Sequence, residues 1–178
     1  MQTKTVAIAA LAMAMLCSTA SRAASMLGYD PEADPFEQYH EAVAQAQAEN
    51  KLVLVIAGGD WCSWCHRLNK FMKSDEVHER IEDTFVIVKV YVGDENYNDF
   101  FFSQLPEARG APHFWVISPD KHVLSSQSTA PFERGKKGYD KNEFLGFVDR
   151  WRKHTSEQYV QRHAANKSEG KQGIGDGG

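Results

Sequence analysis

Cysteine is scarce in this chain: three among 178 residues. That is too few for a disulfide framework, and a domain of this length has core enough not to need one. Cys17 falls in an N-terminal segment that reads as a removable leader, which leaves Cys62 and Cys65. A bridge between two cysteines so close in sequence removes little entropy from the unfolded chain, so it is a poor staple. Structural zinc takes four ligands, and two thiolates with scattered histidines do not supply them. The pair is therefore chemical rather than structural.

Long apolar runs are also missing, apart from residues 6–16. Lys4 precedes that run, small residues follow it, and Ser21-Arg22-Ala23 fits a small-x-small cleavage site. This is the pattern of a secretory signal peptide over residues 1–23, with cleavage after Ala20 as the other fit. The run is too short for a bilayer span. Leu16 before Cys17 does not suit a lipid-anchored leader, which places a small residue there. No second apolar segment could cross a membrane, so the mature chain is expected to be soluble and exported, periplasmic or secreted.

Basic charge is the third shortage. The chain carries 20 Lys and Arg against 24 Asp and Glu. Loss of Lys4 and Arg22 with the leader brings the bases to 18 and the net charge to −6. A nucleic-acid binder needs a basic footprint, which is absent. No internal repeat is visible either.

What remains reads as one domain with a polar end. Asp34-Pro35-Phe36-Glu37 is a helix start, with Asp34 as cap and Pro35 in the first turn. Phe36, Tyr39, Val43 and Ala46 share a face, so the helix runs to about Asn50. "KLVLVIA" is a buried strand that ends at the Gly58-Gly59 turn. Helical character resumes after the cysteines, with Leu68, Phe71 and Met72 on the apolar side, and Ser74 can cap a further short helix. "TFVIVKVYV" is the second strand. "HFWVIS" and "HVLSSQ" form a hairpin about Pro119-Asp120, and Asp140 opens a last helix to about His154. Residues 155–178 are polar and end in glycines, which predicts a disordered tail. The alternation of strands and helices calls for an α/β fold, a mixed central sheet flanked by helices.

The stretch "GGDWCSWCHRLNKF" carries the chemistry. A strand, a turn and then a helix put Cys62 at a helix N-terminus, where unpaired N–H groups and the dipole favour a thiolate. Cys65, one turn on, is placed to resolve a mixed disulfide. Cys-x-x-Cys-His is also a c-type haem attachment motif, with His66 as proximal ligand and Met72 or another histidine as distal one. An electron-transfer haem protein is thus one alternative. A copper metallochaperone using two soft thiolates is another.

"LVLVIAGGDWCSWCHRLNKF" resembles the active-site strand, turn and helix of the thioredoxin superfamily, in its exported Trp-Cys-x-x-Cys branch. "RGAPHFWVIS" is similar to that family's segment in which a cis proline faces the cysteines. The resemblance covers residues 34–154 and makes 24–154 a thioredoxin-like domain. It implies a cis Pro112 in a loop facing the helix N-terminus, with Ala111 and Pro112 as the edge that docks substrate. It further implies a thiol–disulfide oxidoreductase acting on protein thiols and disulfides. Cys62 attacks, Cys65 resolves, and an upstream dithiol supplies electrons. No cofactor beyond the redox-active disulfide is expected, and no dimerisation segment is visible.

The neighbours of the cysteines have assignable parts. Trp61 is expected to wall the site, and Trp64 either to contact partners or to pack as a lid. Asp60 can cap the active-site helix, where its carboxylate opposes a very acidic Cys62. His66 either stabilises the Cys62 thiolate or is an exposed helix residue. Lys89 matches a lysine that many members carry near the site, or is a strand-end lysine reaching solvent. Two departures stand out: Ile56 occupies the place of a buried proton-accepting Asp, and His113, not Thr, follows the proline. Ser63-Trp64 is neither the Gly-Pro of reducing thioredoxins nor the Pro-His of strong oxidants, and the lack of the latter inclines the reading to reduction.

Overall fold

Asp34 starts the first helix as its sequence requires. In the computed structural model, which describes residues 28–136 and 138–172, its Oδ1 accepts the N–H groups of Phe36 and Glu37 at 2.8 and 3.3 Å. Helix α1 spans Pro35–Glu49 and ends on Asn50, whose φ of 54° is left-handed. Strand β1, Leu52–Gly58, follows at once and is buried along its whole length. It is parallel to β2, Phe85–Tyr91, and antiparallel to β3, His113–Ile117. β3 pairs with β4, Val123–Ser128, through the expected hairpin, so the sheet order is β2-β1-β3-β4.

Alternation along β1 divides the core. Val53, Val55 and Ala57 face α1, Phe101 and Trp115. Leu52, Leu54 and Ile56 face the other layer, with both cysteines, Leu68, Val77, Ile81 and Phe144. That layer is built by α2, Ser63–Met72, α3, Asp75–Thr84, and α5, Lys141–Gln172. A four-residue helix α4, Asp99–Phe102, and a 3₁₀ turn, Ala130–Phe132, lie in the connections. Phe114, Phe132, Phe144 and Phe147 interlock with ring centroids 5.2–6.3 Å apart. Burial of each such ring contributes about 1.5–3 kcal/mol, which fastens α5 to the sheet. Arg80 of α3 adds a two-pronged pair with Asp149 of α5 at 2.6 and 2.8 Å.

The last helix is longer than its apolar stripe. The sequence suggested an end near His154 and a disordered tail from Thr155, whereas α5 continues to Gln172. Polarity tells whether a helix has a face to bury. It does not stop backbone bonding in a stretch without proline and rich in Ala, Gln, Lys and Glu. Residues 173–178 and the leader, 1–23, lie outside the described residues. Ser74 also differs: it sits at the start of α3 without capping it, because its hydroxyl donates back to the Phe71 carbonyl.

Candidate active site

β1 delivers the chain to the cysteines through a tight turn closed by the Cys62 N–H on the Gly59 carbonyl at 3.1 Å. Gly58 has to be glycine. A Cβ there would stand 2.7 Å from Cys65 Sγ and 2.8 Å from the Tyr29 phenol. Cys62 itself occupies the N-cap of α2, its Sγ accepting the Cys65 N–H at 3.1 Å. This corrects the cap assigned to Asp60, which the turn leaves two residues upstream. Cys62 and Cys65 form a disulfide, with Cα atoms 5.2 Å apart. Both are buried, Cys65 the more deeply. On reduction, the same N-terminal N–H groups would stabilise a Cys62 thiolate.

Across from this helix start lies the Ala111–Pro112 peptide, which is cis. The Ala111 carbonyl oxygen is 3.6 Å from Cys62 Sγ. The loop is tied from behind: the Thr129 hydroxyl donates to the Pro112 carbonyl at 3.4 Å, and the Tyr139 hydroxyl reaches Thr129 at 3.3 Å. The facing proline loop and helix start, expected from the motif, are thus present.

Trp64 takes the second of its two expected places, and Trp61 is more open than a packed wall would be. Trp61 is 60% exposed, its indole N–H donating to the Val92 carbonyl at 2.7 Å. Trp64 is half-buried, edge-on to Tyr139 at 5.5 Å, with the Arg67 guanidinium 4.6 Å above its ring. It is the packed lid, and Trp61 is the surface available to a partner.

Ile56 is fully buried, and among the described residues no acid is buried in the core in its place. What lies there instead is Tyr29, a residue the sequence reading passed over. Its phenol and Cys65 Sγ both face the vacant Cβ position of Gly58. Burial pushes the Tyr29 pKa far up, with Tyr139 and Asp60 adding to it, so the phenol stays protonated and is a donor, not a base. Lys89 pairs across from Ile56 in the sheet register. Its Nζ donates to Asn69 at 2.8 Å and sits 5.7 Å from the centre of the Tyr29 ring. Burial, then Lys73, lowers its pKa, while Asp60 opposes the shift. Lys89 is therefore turned inward rather than out to solvent. The signal that could have pointed to Tyr29 was an aromatic just ahead of α1 in a chain lacking the buried acid.

His66 and His113 both hydrogen-bond to groups other than the sulfurs. His66 Nε2 lies 2.7 Å from the Asp60 carbonyl, which can only accept, so that nitrogen donates and ties α2 to its turn. This leaves it unsuited to ligate a haem through Nε2. His113 is buried, its Nδ1 accepting the Arg109 N–H at 3.1 Å and its Nε2 donating to Ser126 Oγ at 2.9 Å. It shares the sheet face of Trp115 and Ile117, opposite the cysteines. Among the described residues no three His, Cys, Asp or Glu side chains are grouped to hold a metal, and no helix is long and apolar enough to cross a membrane.

Residues 34–119 match the model of a family described as thioredoxin-like. No curated protein matches the sequence. Among solved structures, a disulphide isomerase from Xylella fastidiosa Temecula1 superposes with a TM-score of 0.61 at 24% identity, over 68% of this chain and 94% of that one. The reduced C-terminal domain of DsbD from Neisseria meningitidis gives 0.50 at 16% identity, over 67% and 97%. Both are likenesses of fold. The matched segment carries both cysteines and the cis proline, and with the sheet order and the Cys62–Cys65 pair it gives the chain a thioredoxin-like fold.

Proposed function

We propose that the protein is an exported thiol–disulfide oxidoreductase that reduces disulfides in other proteins. The observation that carries this is the buried Cys62–Cys65 disulfide at the start of α2, with the cis Ala111–Pro112 peptide opposite Cys62. In the reduced enzyme the Cys62 thiolate attacks one sulfur of a substrate disulfide. A Cys62–substrate bond forms, and the other substrate sulfur leaves and takes a proton. Cys65, deprotonated, then attacks Cys62 Sγ and expels the second substrate thiol. Two electrons and two protons have passed to the substrate, and the enzyme holds its disulfide. An upstream dithiol must reverse that bond for the next turn. Tyr29 fits the recharging step, in which Cys65 leaves as a thiolate beside a phenol able to donate to it. The edge at Ala111 and Pro112 offers backbone to an extended substrate, and the exposed Trp61 flanks it. Export rests on the pattern of residues 1–23.

The test is to express the full chain with Cys65→Ala. Without its resolving thiol, Cys62 should accumulate as mixed disulfides with partner proteins in the export compartment. These should dissolve in reductant and be absent when Cys62→Ala is added. The recovered chain should also begin after Ala20 or Ala23. A variant that reaches the compartment and forms no adducts would overturn the reading.

A further inference from the structure

A cavity of about 750 Å³ opens beside the disulfide and shares Trp61, Gly110 and Ala111 with the face that flanks Cys62. Its wall is aromatic, from Trp61, Tyr91, Tyr97 and Phe102. Trp61 and Tyr97 are 60% and 52% exposed, so aromatic surface is open to solvent there. Its rim carries Asp94, Glu95, Asp99 and Glu107. Residues 91–108, which supply most of it, contain those four carboxylates and no Lys, Arg or His. Arg109, the next base in the chain, does not line it.

The aromatic wall and the carboxylates are built together. The Tyr97 hydroxyl donates to Asp94 at 2.5 Å and so holds that carboxylate at the edge of the wall, and Glu95 lies near the Tyr91 phenol. Asp99 and Glu107 pair with no cation among the described residues. Apolar ring surface ringed by uncompensated negative charge suits one chemistry, an alkyl-stemmed cation. The stem of a Lys or Arg covers the rings, and its head meets both π faces and carboxylates.

We propose that this cavity is a specificity pocket for substrate proteins that carry Lys or Arg within a few residues of the reacting cysteine. The proposal rests on the exchange chemistry above and names the class of substrate it selects. A segment laid along Ala111 and Pro112 with its sulfur at Cys62 has the pocket beside it. A basic side chain there is drawn in, and an acidic one is repelled by the rim.

The experiment uses the mature protein and disulfide-linked peptides identical except for Lys, Gln or Glu two residues from the cysteine. At low salt, kcat/KM for the Lys peptide should exceed that for the Glu peptide by about tenfold, the size expected of a few partly exposed charge contacts. The ratio should shrink at high salt. It should also fall toward one in a D94N/E107Q variant. A ratio near one in the wild-type protein, or one that the variant leaves unchanged, would overturn the pocket's role. Exchange with none of the peptides, nor with a small uncharged disulfide, would instead overturn the oxidoreductase reading.

Discussion

At the scale of the residue, the site is a set of substitutions around a fixed pair of sulfurs. Ile56 stands where an acid is absent, with Tyr29 buried and Lys89 half-buried beside it. A phenol that remains protonated cannot take the Cys65 proton, but it can donate a hydrogen bond to the Cys65 thiolate as that thiolate leaves. Hydrogen bonds to charged groups are worth about 1.5–3 kcal/mol, so Tyr29→Phe should slow reduction of the Cys62–Cys65 disulfide by dithiothreitol about tenfold or more. The Phe side chain keeps the ring and its packing. A variant of native stability with an unchanged reduction rate would assign Tyr29 to packing alone. The cysteines and Pro112 were legible in the sequence because turn, helix start and proline are local or motif-borne. The parts of Trp61, Trp64 and Tyr29 were not. Each is set by a group distant in sequence: the Val92 carbonyl for Trp61, Tyr139 for Trp64, Gly58 and Cys65 for Tyr29.

At the scale of the element, His113 shows what the residue after the cis proline does here. It is the first residue of β3 and joins that strand to β4 through Ser126 and to the loop before the proline through the Arg109 N–H. The Arg109 bond needs the neutral imidazole with its proton on Nε2, which is then the donor to Ser126. Burial, with Arg109 adding to it, lowers its pKa below the usual value of 6.5. The sign follows from linkage. In the unfolded chain the imidazole takes up a proton below about pH 6.5, and in the folded one only at lower pH. This contribution to stability is therefore full above about pH 6.5 and declines as pH falls toward the folded value. Thermal unfolding from pH 7.5 to 5 should show a falling Tm, with a smaller fall in His113→Asn. Equal slopes would place the acid sensitivity elsewhere. The strands and the Asp34 and Asp140 caps were legible because β-branched runs and cap residues act through their own backbone. The far half of α5 was not, since its stripe ends while its helix formers continue.

At the scale of the whole molecule, the direction of electron flow is a question of relative stability. The disulfide and dithiol forms are two folded states joined to their unfolded counterparts by a thermodynamic cycle. A strong oxidant is one whose reduced form is the more stable, since closing its disulfide is then unfavourable. Here the charge pattern works the other way. Asp60 lies close enough to act on both Tyr29 and Lys89, and a carboxylate near the helix start opposes a thiolate at Cys62. The four-carboxylate rim of the neighbouring cavity adds negative potential of the same sign. These carboxylates offset what the α2 N-terminus gives a Cys62 thiolate, so the oxidised protein should melt at a higher temperature than the reduced one. Its potential in thiol buffers should then fall near about −270 mV rather than about −120 mV. The two measurements check each other, because about 30 mV of potential corresponds to about 1.4 kcal/mol of differential stability. A reduced form that melts higher, with a potential near the upper value, would make the protein a donor of disulfides and reverse the proposed direction while leaving its chemistry intact.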